Sequence, residues 1–237
     1  MNYKIAGFSA EIKGIEHELF TLRAQKYLTD EKAEITFEIT DSDVAFERKI
    51  EPSIESISCH EYTAVLRKYG EFLPLHNGFV LHSACFDVDG VGIAFSAHSG
   101  TGKTTHMRRW RDFLGDRFKV VNGDKPMIRF FDDEPDTPYA YGNPWNGKEN
   151  MGNNMRTRLK HICFIERSDT NYVEKVKKED VVNRIFNQVY MPQNNPMAVV
   201  STMQLIDKLL NSCNLWIIHC NMDENAGEIA YKAIFGE

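Results

Sequence analysis

The sequence predicts an α/β protein built on a mixed sheet with flanking helices, preceded by a small β-rich segment. Strand and helix patterns alternate after residue 79, which is typical of a sheet covered by helices. Residues 1–55 instead carry short alternating apolar stretches between charged turns, which favour strands of a small meander. With 237 residues, 42% of them hydrophobic, the chain can bury a sizeable core. We therefore expect a small segment over residues 1–55 and a larger domain over residues 56–237.

Composition and charge exclude several classes of protein. The formal net charge of −6 argues against a nucleic-acid partner, which requires a basic face. No apolar run approaches the roughly 20 residues that span a bilayer, and the first residues lack the pattern of a secretory signal. The five cysteines form no CxxC pair, as expected for free thiols in a reducing compartment. We expect a cytoplasmic protein with neither a nucleic-acid nor a membrane partner.

The first half of the chain predicts strands on either side of one helix. Alternating residues favour strands at 33–40 and 44–50, and apolar residues at helical spacing favour a helix over 56–72. Two apolar runs, 79–87 and 91–96, then flank Val88-Asp89-Gly90. Asp-Gly between apolar runs is a strong hairpin signal, so these two strands should be antiparallel neighbours.

The second half predicts alternating helices and strands around one irregular region. Residues 142–154 are too polar and too rich in glycine for regular structure, and loops of this length in compact domains are often binding loops. The remaining patterns predict helices over 103–114, 178–190, 196–211 and 226–235, and strands over 119–122, 127–131, 160–166 and 215–220.

The strongest chemical signal is the segment 97–105, Ala-His-Ser-Gly-Thr-Gly-Lys-Thr-Thr, between a predicted strand and a predicted helix. Glycines allow successive backbone N–H groups to converge on phosphate, and the helix start adds its positive dipole end. In such a loop the Lys103 ammonium reaches the β- and γ-phosphates and the Thr104 hydroxyl ligates Mg²⁺. Ala97 stands where the motif GxxxxGK[ST] has its first glycine. The predicted nucleotide-binding residues are Ser99, Gly100, Thr101, Gly102, Lys103, Thr104 and Thr105.

Two further residues are candidates for phosphoryl-transfer chemistry. A kinase needs a carboxylate to organise the metal and a group that orients or deprotonates the acceptor hydroxyl. Asp124 follows the predicted strand 119–122, where it could reach the metal, although it could equally be a turn aspartate. His82 precedes Lys103 by 21 residues and would face the same cleft if the hairpin forms. Taken alone, His82 could also be a core histidine.

The string from His82 to Lys103 resembles the catalytic domain of HPr serine kinase/phosphorylase, which has a histidine, a hairpin and a GxSGxGKS loop at the same interval. Ser-Gly-Thr-Gly-Lys-Thr-Thr is also similar to the nucleotide loop of ATP-dependent phosphoenolpyruvate carboxykinase, which shares that fold. The stretches Asn-Gly-Asp-Lys-Pro and Tyr-Gly-Asn-Pro-Trp-Asn-Gly-Lys look like those of a short HPr-kinase-related branch. The resemblance covers about residues 79–166 and implies a phosphoenolpyruvate carboxykinase-like P-loop domain. It implies ATP and Mg²⁺ as cofactors, His82 as acid/base partner, and Asp124 near the metal and acceptor hydroxyl.

The sequence departs from that family in ways that bear on the substrate. HPr kinases have adjacent aspartates after the P-loop, whereas here the first of the pair is Gly123. Their Glu-x-Arg-Gly-Leu-Gly stretch is absent, and residues 142–148 occupy its approximate place. These departures put HPr as substrate, and a reverse phosphorylase reaction, in doubt.

Weaker candidates lie outside these motifs. Trp145 and Lys148 would stack on a base or grip an acceptor anion, unless the tryptophan simply packs on the domain. Arg156 and Arg158 would neutralise transferred phosphate, unless they are solvated surface residues. His106 flanks the phosphate loop and could touch phosphate oxygens, as could His98.

The residues thus predict an ATP/Mg²⁺-dependent phosphotransferase acting on a hydroxyl. The expected acceptor is a serine of a protein or peptide, or a small metabolite. The alternatives are a nucleotide-binding regulatory module, whose small N-terminal segment recruits a peptide, and an ATPase without an acceptor. Homo-oligomerisation stays open.

Overall fold

The computed structural model describes residues 1–97, 101–221 and 223–236 of the chain. It has the predicted α/β class, with two sheets and helices packed against them. Within the described residues, no helix combines the length and apolarity that a membrane crossing requires. The five cysteines are free thiols, as predicted; Cys85 and Cys163 are buried and the other three partly buried.

The N-terminal part forms a three-stranded sheet with helices, and not the predicted meander. The first two strands pair antiparallel, but the third runs parallel to the second, and a helix lies between them in the chain. The elements are β1 (Asn2–Ile5), β2 (Phe8–Lys13), α1 (Glu18–Ala24), β3 (Ile35–Glu38), α2 (Asp41–Ile50) and α3 (Ile57–Phe72).

The strand predicted over residues 44–50 is wrong, because this stretch belongs to helix α2. Thr40 and Asp43 form a reciprocal capping box at its start, which satisfies two backbone N–H groups. Asp43 and Glu47 lie one helical turn apart, and both carboxylates accept hydrogen bonds of 2.6 Å from Arg67 of α3. Residues four apart lie close together on the same side of a helix, so both carboxylates can reach Arg67 only in the helical conformation. The alternation of apolar residues over 44–50 had favoured a strand.

The larger sheet has nine strands and helices on both faces. Its order is β4-β8-β9-β10-β6-β5-β7, and β12 joins the carboxyl half of the long strand β10. The elements are β4 (Gly78–Val80), β5 (Ala84–Val88), β6 (Val91–Ser96), α4 (Lys103–Leu114), β7 (Phe118–Asn122), β8 (Met127–Arg129), β9 (Tyr139–Tyr141), β10 (Arg156–Arg167), β11 (Tyr172–Lys175), α5 (Lys178–Phe186), α6 (Pro196–Ser212), β12 (Asn214–Cys220) and α7 (Ala226–Phe235).

Two hydrophobic clusters cover this sheet, and a third joins it to the N-terminal part. Helices α5 and α6 pack on one face and α4 and α7 on the other. The third cluster combines the N-terminal sheet and α3 with Val80, Met127 and Trp145 of the larger part. Helix α3, which the sequence assigned to the larger domain, thus packs in the same cluster as the N-terminal sheet.

The predicted hairpin is confirmed. Strands β5 and β6 pair antiparallel, and the turn between them places Asp89 at φ +52° and Gly90 at φ +86°, the left-handed conformations of a tight hairpin. On its other side β6 pairs parallel with β10, so the strand before the phosphate loop has one neighbour of each kind. The sheet is therefore mixed, as the sequence predicted.

The single strand predicted over residues 79–87 is wrong in one respect that matters for the site. It is divided into β4, which pairs with β8, and β5, which pairs with β6 and β7. The chain leaves one pairing and enters the other around His82, which lies between the two strands. The strand that leads to Asp124, β7, pairs with β5 and so lies one strand away from β6.

Candidate functional site

The predicted phosphate loop leads into helix α4, whose N-terminal backbone donors have no side-chain cap among the described residues. Gly102 precedes α4 with φ +117°, a conformation that L side chains rarely adopt, and no described atom lies within 4 Å of the position that a Cβ would take. The first turn of α4 carries Lys103, Thr104 and Thr105, all partly exposed. Such a turn presents N–H groups and a positive dipole end to an anion. Of the predicted loop, His98, Ser99 and Gly100 lie outside the described residues.

Lys103 points back toward the loop and into the range of two other charges. Its Nζ donates a 3.0 Å hydrogen bond to the Ala97 carbonyl oxygen. Burial lowers the pKa of Lys103, attraction by Asp124 opposes this effect, and repulsion by Lys125 adds to it. The ammonium of Lys103 is therefore electrostatically coupled to the segment that follows β7.

His82 and Asp124 are brought together by backbone pairing. Val80 lies opposite Met127 in the β4–β8 pair. Beyond the strands, Leu81 N donates to the Pro126 carbonyl at 3.0 Å and Ser83 N to the Asp124 carbonyl at 2.9 Å, which continues the same antiparallel register. The two segments thus run side by side, and His82 Nε2 lies 3.2 Å from Asp124 Oδ1.

Two cationic or proton-donating groups hold the Asp124 carboxylate. Besides His82, the Lys125 ammonium contacts its second oxygen. Burial favours the neutral acid, but the hydrogen bond from His82 and the charge of Lys125 outweigh that effect and hold the pKa of Asp124 well below its ordinary value. Asp124 is consequently ionised throughout the neutral range, as a metal ligand or an orienting carboxylate must be.

Two buried asparagines fix the backbone around Asp124. The side-chain oxygen of Asn122 accepts hydrogen bonds from the N–H groups of Asp124 (2.9 Å) and Lys125 (2.7 Å). Its amide nitrogen donates to Asn143 Oδ1 at 3.0 Å, and Asn143 Nδ2 donates to the Lys125 carbonyl at 2.6 Å. Since both asparagines are fully buried, this network orients the turn without drawing on the Asp124 carboxylate.

The glycine-rich loop packs directly against this turn. Gly147, at φ +82°, lies so close that a Cβ there would be 3.2 Å from the Cβ of Asp124. Gly123 is hemmed in as well, because a Cβ would lie 3.0 Å from the Asn146 carbonyl oxygen and 3.1 Å from that of Met151. A side chain at position 123 would therefore require small shifts of these carbonyls, and the turn carries the single carboxylate of Asp124.

The weaker predicted candidates differ in how close they lie to Asp124 and Lys103. Trp145 is 3% exposed, and its indole N–H donates to the Tyr62 carbonyl at 2.8 Å, which favours the packing role over base stacking. Lys148 is exposed on the loop beside Gly147. Arg158 pairs with Val91 at the start of β6, the far end from the phosphate loop, and binds Glu134 at 2.9 Å; Arg156 lies two residues further away. Neither arginine reaches the cleft that holds Lys103.

His106 is not available to phosphate. It is 3% exposed and its Nε2 accepts a 3.2 Å hydrogen bond from the Trp110 indole N–H, one turn along α4. Burial lowers the pKa of His106 to about 4, so the ring is neutral at physiological pH. His106 precedes Trp110 by one helical turn and lies on the apolar face of α4, and this spacing is the sequence signal that His106 is a buried packing residue.

Three cationic residues that the sequence analysis did not single out contact the site. Lys125 is adjacent to Asp124 and pairs with its carboxylate. Arg23 and Lys26, from the N-terminal part, bind the glycine-rich loop more than a hundred residues away. No local pattern in the sequence signals such long-range contacts.

The donor set suits magnesium better than a transition metal. Within the described residues, no three His, Cys, Asp or Glu side chains are grouped as around a metal ion. Mg²⁺ is commonly held by one or two carboxylates together with substrate phosphates and water. The Asp124 carboxylate and the Thr104 hydroxyl are oxygen donors of that kind.

Comparison with solved structures shows a distant likeness. The chain is similar to the solved structure of the Hpr(Ser) kinase/phosphatase from Coxiella burnetii, with 8% sequence identity and a TM-score of 0.37. The match covers 66% of this chain and 94% of that one. No family model and no curated protein matches the chain. At this score and identity the likeness identifies neither an activity nor a site residue of this chain.

Proposed function

We propose that the protein is an ATP- and Mg²⁺-dependent phosphotransferase that transfers the γ-phosphoryl group of ATP to a hydroxyl. The observation that carries the proposal is the 3.2 Å contact between His82 Nε2 and Asp124 Oδ1, beside a lysine at the start of α4. The charge of Asp124 acts on Lys103, which supports one shared cleft. A general base, a carboxylate and a phosphate-binding lysine are the parts that phosphoryl transfer requires.

The two acceptor-side residues have different roles in this proposal. A carboxylate whose pKa is held well below the ordinary range is a weak base at neutral pH. We therefore assign proton removal from the acceptor hydroxyl to His82 and orientation of its ring to Asp124. With Nε2 donating to the carboxylate, Nδ1 carries the lone pair that accepts the proton.

On the nucleotide side, Lys103 and the first-turn N–H groups of α4 would bind the phosphates. Thr104 and Asp124 would hold Mg²⁺, which when bound neutralises charge on the phosphate oxygens. The acceptor would be a serine of a protein or peptide, or a small hydroxylated metabolite. Positioning and charge neutralisation supply most of the catalysis in reactions of this class.

Incubation of the protein with γ-labelled ATP, Mg²⁺ and a cell lysate tests the proposal. We expect a labelled acceptor with the native chain and none with Lys103→Ala, which should also lose ATP binding. His82→Ala should lower turnover by ~10²–10⁴-fold while ATP affinity stays nearly unchanged. Equal loss of ATP binding in both variants would make His82 a structural residue and refute its catalytic role.

A second candidate is a nucleotide-binding regulatory module or an ATPase without an acceptor. It is favoured by the single carboxylate after β7, where Gly123 stands beside Asp124 and is closely packed against the carbonyls of Asn146 and Met151. The same labelling experiment separates the candidates. Release of labelled inorganic phosphate without a labelled acceptor supports the ATPase, and nucleotide binding without turnover supports the regulatory module.

A further inference from the structure

A short segment of the N-terminal part reaches the loop that packs on Asp124. Helix α1 ends at Ala24, and Arg23 in its last turn projects toward the glycine-rich loop. One guanidinium nitrogen, Nη1, donates to Asn146 Oδ1 at 3.2 Å and to the Gly147 carbonyl oxygen at 3.1 Å. Arg23 thus binds Asn146, whose carbonyl packs on Gly123, and Gly147, which packs on Asp124.

Three neighbouring contacts reinforce the same junction. Lys26 Nζ donates to the Gly152 carbonyl at 3.0 Å, and Tyr62 donates its hydroxyl to the Pro144 carbonyl at 2.7 Å. Trp145 returns a hydrogen bond to the Tyr62 carbonyl. The N-terminal part therefore forms hydrogen bonds with both ends of the loop, and Arg23 binds it at Gly147, the residue that packs on Asp124.

The charge of Arg23 is also close to the site. Tyr62 is half-buried, and burial raises its pKa; the positive charge of Arg23 opposes this rise and the negative charge of Asp124 adds to it. In the described part of the chain, the hydrogen bonds of Arg23 go to an amide and a carbonyl oxygen and not to a carboxylate. These hydrogen bonds thus join Arg23 to one side-chain amide and one backbone carbonyl of the loop.

We infer that Arg23 is a positioning residue of the proposed transfer site, holding Asn146 and Gly147 against Asp124. The inference rests on the proposed function. The N-terminal part then contributes a residue on which the geometry of the proposed site depends. Displacement of the loop would free Asp124 to move away from His82, and misplacement of a catalytic group by about 1 Å can cost ~10²-fold in rate.

Arg23→Met is the test, and Arg129→Met is its matched control. Arg129 also joins the two parts of the chain: its Nη1 donates a 2.8 Å hydrogen bond to the Ala6 carbonyl, and its guanidinium lies over the rings of Phe8 and Phe131. These three partners lie outside the loop of residues 142–154. Hydrogen exchange is followed by mass spectrometry, and kcat and KM for ATP are measured on the same samples.

In Arg23→Met we expect exchange over residues 143–154 to quicken about tenfold or more, with the rest of the chain unchanged. The same variant should lose ~10–10²-fold in kcat with KM for ATP nearly constant. Arg129→Met should show neither effect. Exchange that is unchanged over 143–154, or that quickens equally along the whole chain, overturns the inference.

The two readouts separate this inference from the proposed function. If the native chain turns over no ATP, the phosphotransferase proposal fails, and exchange alone decides whether Arg23 holds the loop. If turnover occurs but Arg23→Met matches Arg129→Met in kcat, the phosphotransferase proposal stands and the role of Arg23 is refuted.

Discussion

Stability of the fold should fall steeply between pH 7 and pH 5, because two buried histidines must stay neutral. His106 and His161 each accept a hydrogen bond from a tryptophan indole, at 3.2 Å and 3.1 Å. Burial lowers the pKa of each to about 4, from an unfolded value of 6.5. Because the folded pKa is the lower one, the stabilisation is complete above pH 6.5 and is lost as the pH falls toward 4.

The magnitude follows from the size of these shifts. Each unit of pH below 6.5 costs about 1.4 kcal/mol for each histidine that the fold keeps neutral. At pH 5 the loss is about 2 kcal/mol for each ring, or about 4 kcal/mol together, a large part of the stability of an ordinary domain. One of the two rings, that of His106, lies on α4, so protonation at low pH should destabilise the helix that follows the predicted phosphate loop.

Urea unfolding followed by circular dichroism at pH 7 and pH 5 measures the effect. His106→Gln retains a hydrogen-bond acceptor for Trp110 but does not titrate, so the fall in stability should shrink by about 2 kcal/mol. His76 is exposed, and His76→Gln is the control that should leave the fall unchanged. A fall as large in His106→Gln as in the native chain would refute the reasoning.

Three other predictions concern the loop and the N-terminal part. Gly147→Ala and Gly90→Ala both place a side chain at positive φ, so each variant should lose ~1 kcal/mol of unfolding free energy in urea. Only Gly147→Ala crowds Asp124, so only this variant should lower ATP turnover. Equal turnover in the two variants would contradict the packing argument. Trp145→Ala should cost about 3–5 kcal/mol of unfolding free energy, since it empties a buried site; a loss below about 1 kcal/mol would contradict its core position. Arg67→Met removes the guanidinium that Glu47 and Asp43 share, and Lys68 still contacts Asp43 at 2.9 Å, so the cost at pH 7 should be about 3 kcal/mol, a deficit that must shrink on acidification if the carboxylate charges cause it.

Much of the larger domain was predictable because its signals are local. The Asp-Gly hairpin, the helix after the phosphate loop and the last helix, Ala226–Phe235, lie where the sequence put them. Each depends on turn chemistry, a helix start or a periodic apolar face within about a dozen residues. Asp124 also follows its strand as predicted, because an apolar run that ends in a polar turn is a local feature.

The features that failed depend on distant partners. Residues 44–50 form a helix because Asp43 and Glu47 share Arg67, which is twenty or more residues away. The break around His82 arises because the N–H groups of residues 81–83 donate to the carbonyls of Pro126, Gln188 and Asp124, which come from two different segments of the chain. The sequence left both base stacking and packing open for Trp145, because the residue lies in a polar loop and its partner, the Tyr62 carbonyl, is distant in the chain.

The local charge around the candidate site differs from the net charge of the chain. The whole sequence is acidic at −6, yet Lys103, Lys125, Arg23 and Lys26 all lie on segments that meet around Asp124. Lys103, Arg23 and Lys26 donate to carbonyl or amide oxygens there, so their positive charge is not cancelled through those bonds. Only Lys125 is paired directly with the carboxylate. Under the proposed function, this local positive charge would attract the polyphosphate of the nucleotide in spite of the acidic net charge, because attraction depends on the local potential and not on the sum of the charges.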